Sequence, residues 1–224
     1  MKKIWTLILV IGLLVCAIST ARADLIGVKG SLGYPDISFD NSGVATYVAN
    51  TDIFTIVAQD LKIVMSNGGA EYWLSGQNLN TAFSLSITVN NSGELAARTG
   101  TMTERVTEGT VTIAGHEYGA GTILLSGSVI GFGWGEGVLL GQFDFLLNNL
   151  SGKLVDDGIW PTTYATGIYS VAEILNGWTG SWDNDFHLGK VKGDKAPIPE
   201  PATMLLLGSG LIGLAGFARR RFKK

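Results

Sequence analysis

The chain has 224 residues, of which 46% are hydrophobic and only 16% charged, with 31 glycines and 5 prolines. That composition excludes a coiled coil and a solvated disordered chain, and the glycines follow no collagen triplet. The single cysteine, Cys16, excludes a disulfide framework and any cysteine-rich zinc site.

The chain opens with Lys2 and Lys3, then an apolar run from Ile4 to Ile18, then Ala21-Arg22-Ala23. A cationic start, a short oily segment and a small-x-small site together read as a cleaved secretory leader over residues 1–23. Ala21 and Ala23 flank the cleavage signal, signal peptidase is the implied partner, and the mature chain begins at Asp24. Cys16 leaves with the leader, so the exported part has no thiol and no disulfide. Its stability must come from packing and hydrogen bonds.

Charge is segregated. The formal net charge is −3, but half of the 16 Lys and Arg lie in the leader and in the last six residues. The segment between keeps eight cations against 18 acids and so carries about −10. An acidic surface of this size repels nucleic acid and anionic lipid, so a nucleic-acid partner is excluded.

Between residues 40 and 192 the pattern is period two. Phe83, Leu85, Ile87 and Val89 alternate with Ser84, Ser86 and Thr88, the mark of a half-buried antiparallel strand. Further strands are predicted over 45–48, 53–58, 61–65, 102–106, 110–114, 122–132, 143–147 and 167–174. Asn67-Gly68-Gly69, Asn90-Asn91-Ser92-Gly93 and Gly115 to Gly119 supply turns. Gly131 to Gly137 alternates glycine with bulky residues and reads as a loop or strand end. No βαβ rhythm and no fixed repeat emerge. The expected fold is mainly β: one antiparallel β-sandwich or Greek-key barrel-like domain over 24–193, followed by a linker at 194–198.

Catalytic signatures are missing from the sequence. There are two histidines, His116 in a turn and His187 near the end of the domain, and no Gly-x-Ser-x-Gly, Walker A or His-Glu-x-x-His run. The reading is a non-enzyme without a resident cofactor. Asp183 and Asp185 alternate oxygen-bearing side chains in Asp183-Asn184-Asp185 and are the candidate Ca²⁺ ligands, with Asp36 and Asp40 able to complete a site if the two ends of the domain meet. The competing reading is a polar loop after Trp182. Trp160, Trp178 and Trp182, with Tyr164 and Tyr169, make the last third aromatic-rich. They are either a glycan-stacking face or core of a disulfide-free fold.

The C-terminal segment runs Pro199-Glu200-Pro201, then residues 203–218 without a charge, then Arg219-Arg220-Arg221-Phe222-Lys223-Lys224. Residues 203–218 form a predicted transmembrane helix about 24 Å long, short of a ~30 Å hydrocarbon core but extended by snorkelling arginines. Ser209 and Gly213 stand at small-xxx-small spacing. Arg219, Arg220 and Arg221 hold the C-terminus on the cytoplasmic side, so the body lies outside.

These three ordered elements resemble the PEP-CTERM protein-sorting signal over about 26 residues, Pro199 to Lys224, with Ile198 where valine is frequent. The resemblance implies an exosortase as partner and processing near Pro199, Glu200 and Pro201. It implies inner-membrane anchoring before processing, then delivery to the envelope or exterior of a Gram-negative bacterium, in company with exopolysaccharide and biofilm production. Tyr34 to Asn41 and Gly180 to Phe186 look like bookends common in such exported chains. The function expected is structural or adhesive, in the envelope or extracellular matrix. The alternatives are a secreted glycan-binding module and, behind it, an extracellular hydrolase.

Overall fold

A computed structural model of the protein describes residues 25–198, apart from residues 77, 137–139 and 175–177. The leader with Ala21 and Ala23, the Pro199, Glu200 and Pro201 motif, the predicted helix 203–218 and the Arg219, Arg220 and Arg221 foot lie outside the described residues. Among the described residues no helix is long and apolar enough to cross a membrane.

The strands are β1 (Asp36–Val48), β2 (Ile53–Ala58), β3 (Asp60–Val64), β4 (Glu71–Trp73), β5 (Asn80–Val89) and β6 (Leu95–Glu108). They continue with β7 (Thr110–Ile113), β8 (His116–Gly119), β9 (Ile123–Glu136), β10 (Leu140–Ser151), β11 (Ala165–Glu173) and β12 (Phe186–Ile198). One short helix, α1 (Lys153–Asp156), stands between β10 and β11. Eight of the strands follow one another around a single sheet in the order β1, β2, β5, β6, β9, β10, β11, β12, and β12 pairs back onto β1. Every one of these pairings is antiparallel.

The result is a closed up-and-down barrel. It keeps the expected mainly β, antiparallel class and corrects the expected sandwich or Greek key. A Greek key needs one strand to return past its neighbours, and a sandwich needs two facing sheets. Here each of the eight barrel strands pairs with the barrel strands before and after it, the β3–β4 and β7–β8 hairpins being side excursions, and closure removes the free edges of the barrel itself.

Closure depends on a segment expected to be linker. Residues 194–198 are the last five residues of β12, and β12 is in register with β1 from Ile37 opposite Lys195 to Tyr47 opposite Phe186. Their mixture of lysine, aspartate, glycine and proline hides a strand whose Lys195, Ala196 and Ile198 are buried. The glycine-rich run after Gly131 is likewise strand as far as Glu136, with Gly131 pressed to 3.2 Å (as a Cβ would be) from the Cβ of Leu146.

Inward and outward residues alternate as the pleat requires. In β5, Thr81, Phe83, Leu85, Ile87 and Val89 face the core. In β2, Phe54, Ile56 and Ala58 do, while Ile53 and Val57 face out. β1 crosses from β3 to β2 on its other flank by bulging at Gly43. A Cβ there would stand 2.8 Å from the Cβ of Ala58 and 2.9 Å from the Val57 carbonyl, so only glycine lets the strand bend at that corner.

The ends of the barrel are closed differently. At the end where β1 finishes and β12 begins, Phe54, Phe132, Phe143, Trp178, Trp182 and Phe186 interlock, with centroid separations such as 4.9 Å for Phe54–Phe143 and 4.7 Å for Trp178–Phe186. At the opposite end, α1 and the turn after it bring Leu154 and Trp160 into the core. The segment 25–33 runs up the outside of the barrel. The Gly27 and Val28 amides donate to Asp144 Oδ2 at 2.9 and 3.2 Å, and Gly33 N–H donates to the Pro197 carbonyl at 3.0 Å.

Candidate functional site

The strongest concentration of chemistry is inside the barrel. β12 turns Val191, Gly193 and Lys195 inward. β3 contributes Asp60 at its first residue, and β6 contributes Glu104 between inward-facing Met102 and Val106. Lys195 Nζ is paired with Asp60 Oδ1 and lies 3.0 Å from Glu104 Oε2. All three side chains are fully buried. Phe39 and Phe83 stack at 5.0 Å and wall the cluster, with the ammonium 4.3 Å from the centre of the Phe83 ring. Thr81 Oγ1 donates to the Asp60 carbonyl at 3.5 Å. Asp60 Oδ2 and Glu104 Oε1 have no hydrogen-bond partner among the described residues.

The cluster carries two carboxylates and one ammonium. Burial raises the pKa of Asp60, against the pull of Lys195. Burial, then repulsion by Asp60, pushes Glu104 up to about 7. Burial alone would depress Lys195, but the two carboxylates together hold it above its ordinary value. One proton shared over the two acids leaves the cluster neutral, the state that a low-dielectric core favours.

The sequence-derived candidates are placed elsewhere. Trp160, Trp178 and Trp182 are buried, at 1%, 8% and 1% exposure, so the three rings belong to the core and present no common open face, with only the edge of Trp178 lining a cleft. Trp160 Nε1 donates to Thr166 Oγ1 at 2.9 Å and Trp178 Nε1 to the Ser181 carbonyl at 2.9 Å. They fill the barrel because a closed eight-stranded lumen needs large side chains. Asp183 and Asp185 lie exposed in the β11–β12 connection. Asp183 accepts from Ser181 Oγ at 3.1 Å, and Asp185 accepts from the Ala49 amide at 2.7 Å. Asp36 starts β1 and Ala49 follows its end, so Asp36 and Asp185 sit at opposite ends of the barrel and do not complete one site. Among the described residues no three His, Cys, Asp or Glu side chains are grouped to hold a metal ion.

Two lesser features accompany these. A cleft of about 420 Å³ opens beside the aromatic end, lined among others by Thr46, Tyr47, Trp178, Asn184, Asp185 and His187. His187 Nδ1 and Thr46 Oγ1 are 3.1 Å apart across it. Far from it, His116 begins β8 rather than lying in a turn, and its Nδ1 is 3.7 Å from Asp157 Oδ2. Tyr118 Oη donates to that same oxygen at 2.9 Å and, with Lys153, holds Asp157 below the usual carboxylate range.

Reasoning from the sequence missed Lys195, Asp60 and Glu104. Glu104 was visible as a charge in apolar phase, between Met102 and Val106 of an alternating strand. Lys195 was hidden because its segment read as linker.

The remaining chemistry lies at the chain's end. Residues 197–221 match the family model of the PEP-CTERM protein-sorting motif. The chain carries a PEP-CTERM sorting signal. The PEP-CTERM match begins at Pro197, while β12 still pairs Pro197 with Thr166 and Ile198 with Ala165. Barrel and PEP-CTERM motif therefore adjoin with no spacer. No curated protein and no solved structure matches the chain.

Proposed function

We propose that this is an exosortase-sorted envelope or extracellular-matrix protein whose barrel serves a structural or adhesive role, in company with exopolysaccharide. The observation that carries the reading is the join at Pro197: a closed barrel with a side-chain-filled lumen runs directly into a sorting motif. A lumen packed with rings and an ion cluster resists unfolding more readily than it takes up a ligand. The inner-membrane helix at 203–218 and its cationic foot belong to this proposal, as does release by cleavage near Pro199, Glu200 and Pro201.

Intact-mass measurement of the protein from membrane and medium fractions tests it. The membrane form should begin at Asp24 and retain Lys224, and the medium form should lack the Arg219, Arg220 and Arg221 foot. Recovery of an uncut C-terminus from the medium would overturn processing. Replacing residues 25–196 by an unrelated exported domain should then abolish cell cohesion while leaving sorting intact.

A second reading, binding of a glycan, is favoured by the cleft beside Trp178, which combines an aromatic edge with Asn184, Asp185, Thr46 and His187. Exopolysaccharide should then change tryptophan fluorescence, and Asn184→Ala with His187→Ala should remove the change without altering the fold. No response in the parent protein rejects it.

A further inference from the structure

The buried cluster poses a problem of energy. Taking Lys195, Asp60 and Glu104 out of water is costly, and an apolar trio of similar volume would serve stability as well or better. Stability alone therefore gives no reason for an ion cluster at this place in the core. The arrangement brings an amine against a carboxyl group, places a second carboxyl 3.0 Å from the amine, and covers the amine with two stacked phenylalanine rings. That is the geometry of an acyl-transfer site whose nucleophile and electrophile both belong to the protein.

We propose that Lys195 Nζ and Asp60 Cγ join in an intramolecular amide, with Glu104 as the catalytic residue that moves the proton.

The step balances without a co-reactant. The Lys195 ammonium first passes a proton to the Asp60 carboxylate it touches, converting a buried ion pair into a neutral amine and acid. Burial favours that neutral pair. The Nζ lone pair attacks Asp60 Cγ, and a C–N bond forms. Glu104 takes a proton from the nitrogen and returns it to the departing Asp60 oxygen. The C–O bond breaks and one water leaves. The products are one amide, one water and Glu104 in its starting state. Positioning supplies most of the rate, because the reacting groups cannot diffuse apart inside a closed barrel. Loss of water from an apolar site and removal of two buried formal charges draw the reaction forward. The new amide N–H is left facing Glu104, which then has a donor to accept from.

The place of the bond explains its use. β1 lies between β3 and β12, so the amide would tie the start of β3 to the last strand of the barrel, across β1 and the seam that closes it. Lys195 also stands just ahead of Pro197, where the sorting motif begins. A chain held by its C-terminus at a membrane or in a matrix feels tension through β12, whose C-terminal half is held to the barrel by hydrogen bonds, packing and the ion pairs of Lys195. A covalent tie at Lys195 passes that tension to β3. With its only cysteine in the leader, the mature chain has no disulfide to do the same.

The test is mass spectrometry of the full chain purified from the membrane fraction, denatured and digested. The expected result is a branched peptide joining Asp60 to Lys195, lighter than its two parts by one water, at near-complete occupancy. Separate linear peptides with unmodified Asp60 and Lys195 would overturn the proposal. Lys195→Met should abolish the branched species. Glu104→Gln, nearly isosteric, should keep the barrel's far-ultraviolet spectrum yet lower its occupancy at least tenfold. If Glu104→Gln links as completely as the parent, the role given to Glu104 is wrong although the bond stands. If that variant fails to fold, Glu104→Asp supplies the same comparison with the acid retained but withdrawn from the amine, and the parent's peptide map decides the bond in every case.

Discussion

One barrel fills its lumen in two opposite ways. Toward the β11–β12 connection the filling is aromatic and uncharged, with Trp182 in edge contact with Tyr47, Phe54, Phe132 and Trp134 at 4.9 to 5.8 Å. Toward the sorting motif it is ionic, with Lys195, Asp60 and Glu104 behind Phe39 and Phe83. The aromatic end gains from area and shape and is indifferent to pH. The ionic end gains little net stability and depends on where its protons are. The difference shows that filling alone does not account for the ionic end, since the aromatic end demonstrates what filling looks like in this chain.

The largest effect should come from the aromatic end. Trp182→Ala removes a fully buried ring from the centre of that cluster and should cost about 4 kcal/mol in chemical denaturation. The loss should be the same at pH 5 and pH 8, because the titratable ring it touches, Tyr47, is pushed up to about 12 by burial and stays neutral throughout. At the ionic end, Lys195→Met leaves two carboxylates buried without a cation and should cost roughly 3 kcal/mol at pH 8. Much of that loss should vanish at pH 5, where Asp60 and Glu104 can be neutral. If the two variants show the same pH dependence, the contrast between the ends fails.

The parent protein should show the same asymmetry more weakly. Glu104 is raised to about 7 by burial and then by Asp60, and Asp36 to about 6 by burial and then by Asp194. A carboxyl whose folded pKa lies above its unfolded value binds more protons when folded, so stability falls as pH rises between the two values. The domain should therefore be more stable at pH 5 than at pH 8, by about 5 °C of melting temperature. Glu104→Gln should flatten most of that slope. A melting temperature that climbs from pH 5 to pH 8 would contradict the protonation assigned to the cluster.

What the sequence disclosed follows the same division. Strands whose inward positions are apolar were legible: β2 is found at its predicted bounds, and β5 extends the predicted 83–89 by three residues. The acidic body, the antiparallel class and the sorting motif were legible for similar reasons, since pattern and order are properties of the chain itself. β12 was not, because its inward set includes Gly193 and Lys195, which carry no apolar signal. Without β12 the barrel cannot close, so the reading stopped at a sandwich or Greek key. The ionic site was hidden for the same cause, since its three members lie 44 and 91 residues apart, and only ladder register brings them together. The tryptophans were visible as a group, but burial, which separates a binding face from a core, is set by closure.

The smallest effect sharpens the comparison from a residue type that both ends share. Trp160, beside α1, and Trp182, at the aromatic end, are each about 1% exposed, yet their indole N–H groups differ in partner. Trp160 Nε1 donates to buried Thr166 at 2.9 Å, whereas Trp182 Nε1 has no hydrogen-bond partner among the described residues. Thr166→Val keeps shape and removes only the acceptor, so it should cost about 1 to 2 kcal/mol by stranding a buried donor. Trp182→Phe forfeits no hydrogen bond and should lose only what its smaller ring fails to fill. Measured together by denaturation, the first loss should persist in a Trp160→Phe background only if Thr166 acts through some other group. Its disappearance there assigns the cost to the indole, and shows that the end nearer the sorting motif relies on satisfied polar contacts where the other relies on rings.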